Sequence, residues 1–465
     1  MNKNTIKKLK AIVGEKHLTT AREDLMCYSY DSTGMEYMPA AVAFPASAAE
    51  ISAIMQLANL ELFPVIPRGA GTGMTGGALP VQGGLVLVTS RLNRILEIDR
   101  ENQVAVVEPG VITGKFQAAL RKEGLFYPPD PASRDFCTMG GNVAECSGGP
   151  SAVKYGVTRD YVLGLEVILP DGSLIHSGVR TAKGVVGYDL TRLFVGSEGT
   201  LGVVTKIIVR LLALPTCKKT YLVLTDSLQQ AAALVAELLN GGILPSTLEY
   251  MDRTALHVVD DYLPLELPPN TGALLLVEVD GDERSTEEQG QKLMALLADG
   301  KKYPGVIQVR QAEHECEVQE LWKARRSISP ATFKLRPHKI SEDVVVPRTK
   351  IPQLVAFTEK LSRELGIVIL TFGHAGDGNI HVNIMVDKEN PEEYEKGLTA
   401  QKQLFEQVMA LSGTLSGEHG VGITKAPYLY LELDETSLAL MEKIKSVFDP
   451  NNILNPGKIF PTKRH

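Results

Sequence analysis

No uninterrupted apolar run approaches the ~18 to 20 residues that span a bilayer, so no transmembrane helix is expected. Excess positive charge is missing as well. The formal net charge of -7 leaves no basic footprint for nucleic acid and makes a small-molecule partner the default. Cysteine is scarce: Cys27, Cys137, Cys146, Cys217 and Cys316 are odd in number and lack any C-x-x-C spacing. This argues against an iron–sulfur cluster held by the chain itself, which would need clustered thiolates, and it suits reduced thiols in a cytoplasmic setting. The N-terminal MNKNTIKKLKAIVG is basic, but lysines interrupt its apolar positions and it has no signal-peptide core; a short surface helix is expected there.

What is present is globular. A chain of 465 residues exceeds one ordinary core, so two domains or more are expected. From Ala41 the pattern reads strand (AVAF), helix opened by a Ser47-x-x-Glu50 capping box, then strand (FPVIP). Arg68 to Gly77, RGAGTGMTGG, follows and contains G-x-G-x-x-G at Gly71, Gly73 and Gly76. A Rossmann turn would have to open a helix, yet Pro80, Gly83 and Gly84 come next and the following regular element is the strand LVLVT. The loop is therefore read as a backbone cradle for a pyrophosphate, with Arg68 supplying charge. Further glycine-rich segments run from Pro128 to Gly149 and from Gly196 to Lys206. Three such loops in one half of the chain are explained by one large flat ligand that backbone must approach closely.

The second half carries a different chemistry. In Phe372 to Asn383, FGHAGDGNIHVN, the dipeptide Asp377-Gly378 is a two-residue hairpin signal between two apolar runs. Counting outward pairs Ala375 with Ile380, His374 with His381 and Phe372 with Asn383, and directly opposed Cβ atoms lie roughly 4.5 to 5.5 Å apart, so the two imidazoles can share an ion. Asn383 shares their face. In Ser416 to Gly422, SGEHGVG, Glu418 and His419 sit between glycines, able to add one ligand and one base. From Leu214 to about Val309 the pattern gives two strand–helix–strand cycles in the β-α-β-β-α-β order of a ferredoxin-like unit. Arg325 and Arg326, in WKARRSIS, and Lys339 then place cations ahead of the hairpin, and the sequence does not choose between the two arginines.

Taken together, PRGAGTGMTGG, PPDPAS with TMGGNVAE, YGVTRDYVLGLEVILPDG, GSEGTLGVVTK, GHAGDGNIHVN, SGEHGVG and FDPNNILNPGKI resemble, in order, the FAD-linked glycolate oxidase D-subunit and D-lactate dehydrogenase family. The resemblance runs from about residue 40 to the end. It implies an α+β chain: a vanillyl-alcohol-oxidase type FAD-binding domain over residues 1–214, a ferredoxin-like cap with the substrate and metal residues over 215–425, and a segment over 426–465 returning to the FAD domain.

The same resemblance implies a set of site residues. FAD phosphates would lie against Arg68, Gly69, Ala70, Gly71, Thr72 and Gly73. Ser133, Gly140, Gly141 and Asn142 would line the isoalloxazine and pyrophosphate, Glu198, Gly199 and Gly202 the adenosine half, and Asn455 the flavin. With no histidine between His17 and His176, FAD is expected to be non-covalent, although Cys146 stands where relatives often carry Asn and is a conceivable contact. Arg325 and Lys339 would clamp a substrate carboxylate, with Ser329 and Asn383 assisting, and Arg325 would use its planar fork. His374, His381 and Glu418 would hold zinc, iron or manganese, and His419 would be the base. The implied reaction is oxidation of a D-2-hydroxy acid, D-lactate or glycolate foremost, with electrons passed to an electron-transferring flavoprotein or an iron–sulfur subunit. A metal-dependent hydrolase and a flavin electron-transfer module are the rival classes, and each would leave half the motifs idle.

Overall fold

The computed structural model describes residues 1–260 and 267–461, and the chain divides into two compact units. The first holds residues 1–148, 157–214 and 418–465; the second holds 149–156 and 215–417.

In the first unit, Ala41–Ala43, Leu85–Val88 and Val65–Arg68 pair in parallel, and Leu18–Thr19 closes the far edge antiparallel. Ser47 caps the helix Ala48–Glu61 by accepting from the Glu50 N–H at 3.2 Å, and Glu50 accepts from the Ala46 N–H at 2.8 Å. This helix buries Ile51, Ile54, Met55 and Ala58 against Val65, Leu85 and Leu87. Between Arg68 and Leu85 there is no helix, so the glycine-rich segment is a loop joining two parallel strands and the Rossmann pattern is coincidental. Val104–Val107, Val162–Ile168 and Val203–Arg210 form the middle of a second, antiparallel sheet edged by Ile95–Asp99 and Leu174–Gly178. The C-terminal stretch returns to the first sheet: the Val65 N–H donates to the Ile453 carbonyl and the Asn455 N–H to the Val65 carbonyl, both at 2.8 Å.

The second unit is built on one antiparallel sheet of seven strands: β1 (Cys217–Thr225), β2 (Thr247–Asp252), β3 (Ala273–Gly281), β4 (Val306–Gln311), β5 (His338–Val345), β6 (Val368–His374) and β7 (Asn379–Val386). Their order is β4-β1-β3-β2-β6-β7-β5. The first four strands have the 4-1-3-2 order of a ferredoxin-like unit, with one departure: a helix, α1 (Arg253–Asp260), lies between β2 and β3 where a direct connection was expected. Asp252 explains it. Its Oδ1 caps that helix at the Ala255 N–H at 2.7 Å, while Oδ2 accepts from the Thr371 N–H at 2.5 Å in β6, so one carboxylate starts the helix and fixes the strand beside it.

One face of this sheet is covered by α1 and by α2 (Glu315–Ala331), whose Leu321, Ala324 and Ile328 pack on Leu274, Leu276, Met251, Phe372 and Met385. Beyond that apolar patch the same face turns polar.

Candidate active site

Alternation along each strand decides which residues share that polar face. Glu249 of β2 is opposite His374 of β6, Phe372 of β6 is opposite His381 of β7, and His381 is opposite Asp343 of β5. Asn383 and Lys339 follow on the same side of β7 and β5. The turn is longer than the Asp-Gly signal suggested: residues 375–378 all lie outside the strands, His374 pairs with Asn379, and His381 pairs with Phe372. The pairing expected from the sequence is thus out by two residues. An even shift preserves the face, so the histidines become diagonal neighbours rather than opposed ones.

They still converge. His374 Nε2 and His381 Nε2 are 3.4 Å apart, with ring planes at 84°. Two zinc–nitrogen bonds at a tetrahedral angle place their nitrogens roughly 3.3 Å apart, so the pair has the spacing of a metal half-site. Glu249, wholly buried, accepts from His374 Nδ1 at 2.5 Å. That contact puts the proton on Nδ1 and turns the lone pair of Nε2 toward His381. The other Glu249 oxygen takes Nε and Nη2 of Arg325 at 2.8 and 2.6 Å. Burial pushes the Glu249 carboxyl up, but the Arg325 guanidinium and the hydrogen bond from His374 outweigh this and hold it below the ordinary carboxylate range.

α2 places the two arginines differently. Arg325 is buried on the sheet side, its guanidinium 4.7 Å from the Phe372 ring, whereas Arg326 is exposed. The fork of Arg325, expected to grip a substrate, is engaged by Glu249, which leaves Nη1 as the edge for a further partner. Ser329, one turn on, accepts from Lys339 Nζ at 2.7 Å through its hydroxyl and at 3.1 Å through its carbonyl. Burial lowers the Lys339 ammonium to about 8. Asn383 is 1% exposed, yet neither its Oδ1 nor its Nδ2 has a partner among the described residues. A buried amide left so costs about 1–3 kcal/mol per group, a cost that a ligand would remove.

Asp343 anchors the approach to the SGEHGVG loop: it accepts from the Gly417 N–H at 2.9 and 3.2 Å and from Asn379 Nδ2 at 2.9 Å. Neither Glu249 nor Asp343 was singled out from the sequence. The available signal was the single carboxylate of TLEYM and the adjacent pair Glu342-Asp343 at the head of the apolar run in SEDVVV.

In the first unit, Gly69 and Ala70 line a cavity of about 510 Å³ together with Ser90, Asn93, Val111 and Thr138. The N–H groups of Ala70, Gly71, Thr72 and Gly73 donate to no protein acceptor among the described residues. Arg68 is buried, donates through Nη2 to the Tyr30 carbonyl at 2.7 Å, and leaves Nη1 without a partner. Gly71 has φ +70°, and a methyl on Gly69 would lie 2.4 Å from Thr138 Oγ1. A run of unspent amides beside an orphaned guanidinium fits the diphosphate of FAD.

The remaining predicted FAD residues are placed differently. Gly140 packs on Pro109, where a methyl would meet Pro109 Cβ at 2.5 Å; Gly141 follows in the same short helix, Met139–Glu145, and the Asn142 side chain donates to Thr113 Oγ1 at 2.7 Å. Ser133 turns the chain, its carbonyl accepting from the Phe136 and Cys137 N–H groups. Glu198 spends both oxygens on the Val421 and Gly422 N–H groups, each at 2.7 Å, and thereby ties the GSEGTLG loop to the loop carrying His419. Gly199 lies against Pro67, and Gly202 against Val167. Asn455 donates to the carbonyls of Gly77 and Glu198 at 2.9 and 2.8 Å, so it joins two glycine loops. The His419 carbonyl accepts from Thr75 Oγ1 at 3.0 Å. Cys146 accepts from Arg159 Nε at 3.1 Å.

A diphosphate cradle on a mixed α+β unit, with a separate ferredoxin-like unit bearing imidazoles and cations, defines a vanillyl-alcohol-oxidase type flavoprotein. The family matches agree. Residues 39–178 match the FAD binding domain and residues 214–459 the C-terminal domain of FAD linked oxidases. The chain is 44% identical over 461 residues to the glycolate oxidase subunit GlcD of Bacillus subtilis, covering 99% of this chain and 97% of that one. It is 34% identical over 420 residues to the D-lactate dehydrogenase of Anaerostipes hadrus, covering 89% and 88%. p-Cresol methylhydroxylase, solved with substrate bound, superposes with a TM-score of 0.82 at 16% identity over 99% of this chain and 97% of that chain, which shows the fold alone. The protein belongs to the FAD-linked oxidase family of the glycolate oxidase D-subunit and D-lactate dehydrogenase group and is an FAD-dependent oxidoreductase. The hydrolase reading falls with that membership. Among the described residues no helix is long and apolar enough to cross a membrane.

Proposed function

We propose that the chain is an FAD- and metal-dependent dehydrogenase that oxidises a D-2-hydroxy acid, D-lactate or glycolate foremost, to the 2-oxo acid. The observation that carries this reading is the buried polar face of the second unit, where two imidazole nitrogens 3.4 Å apart stand beside Arg325, Lys339 and an unsatisfied Asn383. The names of the two relatives supply the substrate class. His374 and His381 are two ligands of a zinc, iron or manganese ion, nitrogen donors that suit all three. Glu418 is the third ligand, since it directly follows Gly417, whose N–H is held by Asp343, the strand residue opposite His381.

Lys339 and Nη1 of Arg325 take the substrate carboxylate, Ser329 holds the Lys339 ammonium in place, and Asn383 gives its free amide to the hydroxyl end. His419, on a loop bent by Gly420 and Gly422, removes the hydroxyl proton. When bound, the ion lowers the pKa of that hydroxyl and FAD accepts the hydride from C2. Without clustered thiolates or a Rossmann unit, the electrons go on to a protein, an electron-transferring flavoprotein first and an iron–sulfur subunit second. The five free cysteines suit a cytoplasmic setting.

The test is anaerobic mixing of FAD-loaded protein with both enantiomers of a 2-hydroxy-acid panel and glycolate, with and without each metal. Bleaching by D-acids or glycolate, lost on chelation and restored by metal, is expected. A flavin that stays oxidised with every acid and every metal would leave an electron-transfer module, and faster bleaching by L-acids would overturn the stereochemistry. Rapid turnover with NAD as sole acceptor would overturn the protein acceptor.

A further inference from the structure

Glu249 lies in mid-strand, 0% exposed, between the buried Leu248 and Tyr250. Burying a carboxylate costs several kcal/mol even when it is paired, and apolar replacements of buried ion pairs are often neutral or stabilising. Packing alone therefore does not call for an ion pair in the middle of β2, although removing Glu249 by itself would leave Arg325 buried without its counter-charge. What distinguishes Glu249 is the division of its two oxygens. Oε1 takes Nδ1 of His374 at 2.5 Å, and Oε2 takes Nε and Nη2 of Arg325 at 2.8 and 2.6 Å. His374 and Arg325 come from different elements, β6 and α2, and Glu249 bonds both.

We infer that Glu249 is a positioning residue serving both halves of the site. By accepting from Nδ1 it fixes the tautomer and rotamer of His374, so that Nε2 faces Nε2 of His381 at 3.4 Å. By occupying Nε and Nη2 it turns Arg325 so that Nη1 is the edge offered to the substrate carboxylate. The spacing between the imidazole pair, which would hold the ion, and the guanidinium, which would take the carboxylate, is then set by one carboxylate. Phe372 completes the arrangement: it lies under the guanidinium at 4.7 Å and beside the His381 ring at 5.3 Å, so it packs against both groups. This inference rests on the metal and 2-hydroxy-acid reading above.

The test uses full-length, FAD-loaded protein and the variants Glu249→Gln and Glu249→Asp. A glutamine of the same size has one accepting oxygen and cannot serve His374 and Arg325 together. Zinc and manganese retention is read by metal analysis after equilibration with graded chelator. KM is read at saturating metal with D-lactate or glycolate, whichever reduces the flavin. Glu249→Gln is expected to keep its flavin spectrum and cooperative melting, at a lowered midpoint because Arg325 loses its counter-charge, to lose metal affinity ten- to a hundredfold, and to raise KM at least tenfold. Glu249→Asp, which keeps the charge on a shorter arm, should recover part of both losses.

Metal retention or KM within twofold of the wild type in Glu249→Gln would overturn the inference. So would loss of FAD and of cooperative melting in both variants, which would assign Glu249 to the core. A wild type that holds no metal in the same titration would overturn the proposed function itself and this inference with it.

Discussion

His374 Nε2 stands 3.4 Å from His381 Nε2 although neither residue is the other's cross-strand partner. The diagonal works because Phe372, which is the partner of His381, fills the space between that ring and Arg325 while His374 leans across from two residues further along β6. His374→Ala and His381→Ala should each strip the ion and lower the rate of flavin reduction at least a hundredfold. FAD content should be unchanged, because the amides that fit its diphosphate belong to the other unit. Metal analysis beside the flavin absorbance checks this; joint loss of metal and flavin would contradict it.

The adjacent residues Glu418 and His419 are assigned different work. Glu418→Ala should behave like the histidine ligand variants. His419→Ala should retain FAD, metal and substrate binding but slow single-turnover flavin reduction by roughly 10² to 10⁴, as expected for loss of a positioned base. Metal analysis with stopped-flow reduction separates them, and loss of metal in His419→Ala but not in Glu418→Ala would reverse the two roles.

Lys339 gives the site a pH dependence. Its native pKa of about 8 lies below the ordinary 10.5, so the native protein binds fewer protons than the unfolded chain between those values, and this group's contribution to stability rises with pH across that window. At neutral pH both states are protonated and the burial cost is present in full. For catalysis the sign is opposite: the ammonium that attracts the substrate is lost as pH rises through about 8, so kcat/KM should fall above that value. Lys339→Arg, which stays charged, should flatten this limb. Lys339→Met should lower kcat/KM about a hundredfold at pH 7 while raising the melting temperature, a trade of stability against activity. A wild-type profile that stays flat from pH 7 to 9.5 would argue against Lys339 as the carboxylate cation.

Gly140 tests the cofactor unit. A methyl there would lie 2.5 Å from Pro109 Cβ and 3.0 Å from its carbonyl oxygen, so Gly140→Ala must displace backbone. It should cost about 1–3 kcal/mol of stability and reduce FAD retained through gel filtration. Gly300→Ala, with nothing within 4 Å, is the control and should change neither. Equal FAD retention in both variants would show that the packing at Gly140 does not support the cofactor.

Local chemistry made much of this protein legible in one dimension. Ser47 and Glu50 announce a helix start by direct hydrogen bonds within four residues. The alternation of apolar residues gives the strands of the ferredoxin-like unit, and Pro80, Gly83 and Gly84 deny the glycine loop a helix because backbone sterics act locally. The face shared by His374, His381 and Asn383 also follows from the period of two along a strand, which survives an even error in register.

Tertiary structure decided what depends on neighbours remote in sequence. The Asp-Gly signal gave the wrong turn because the loop is gripped from both sides: the Gly376 N–H donates to the Leu248 carbonyl at 3.2 Å, and the Gly378 carbonyl accepts from the Val346 N–H at 3.1 Å. Those two bonds favour a four-residue turn over the two-residue one. Arg325 and Arg326 are equivalent in sequence, and only the packing of Leu321, Ala324 and Ile328 turns the first inward and the second out. Glu249 reads as one polar residue in a strand until β2, β6 and α2 meet around it, because a carboxylate's role is set by which charges surround it once water has been removed.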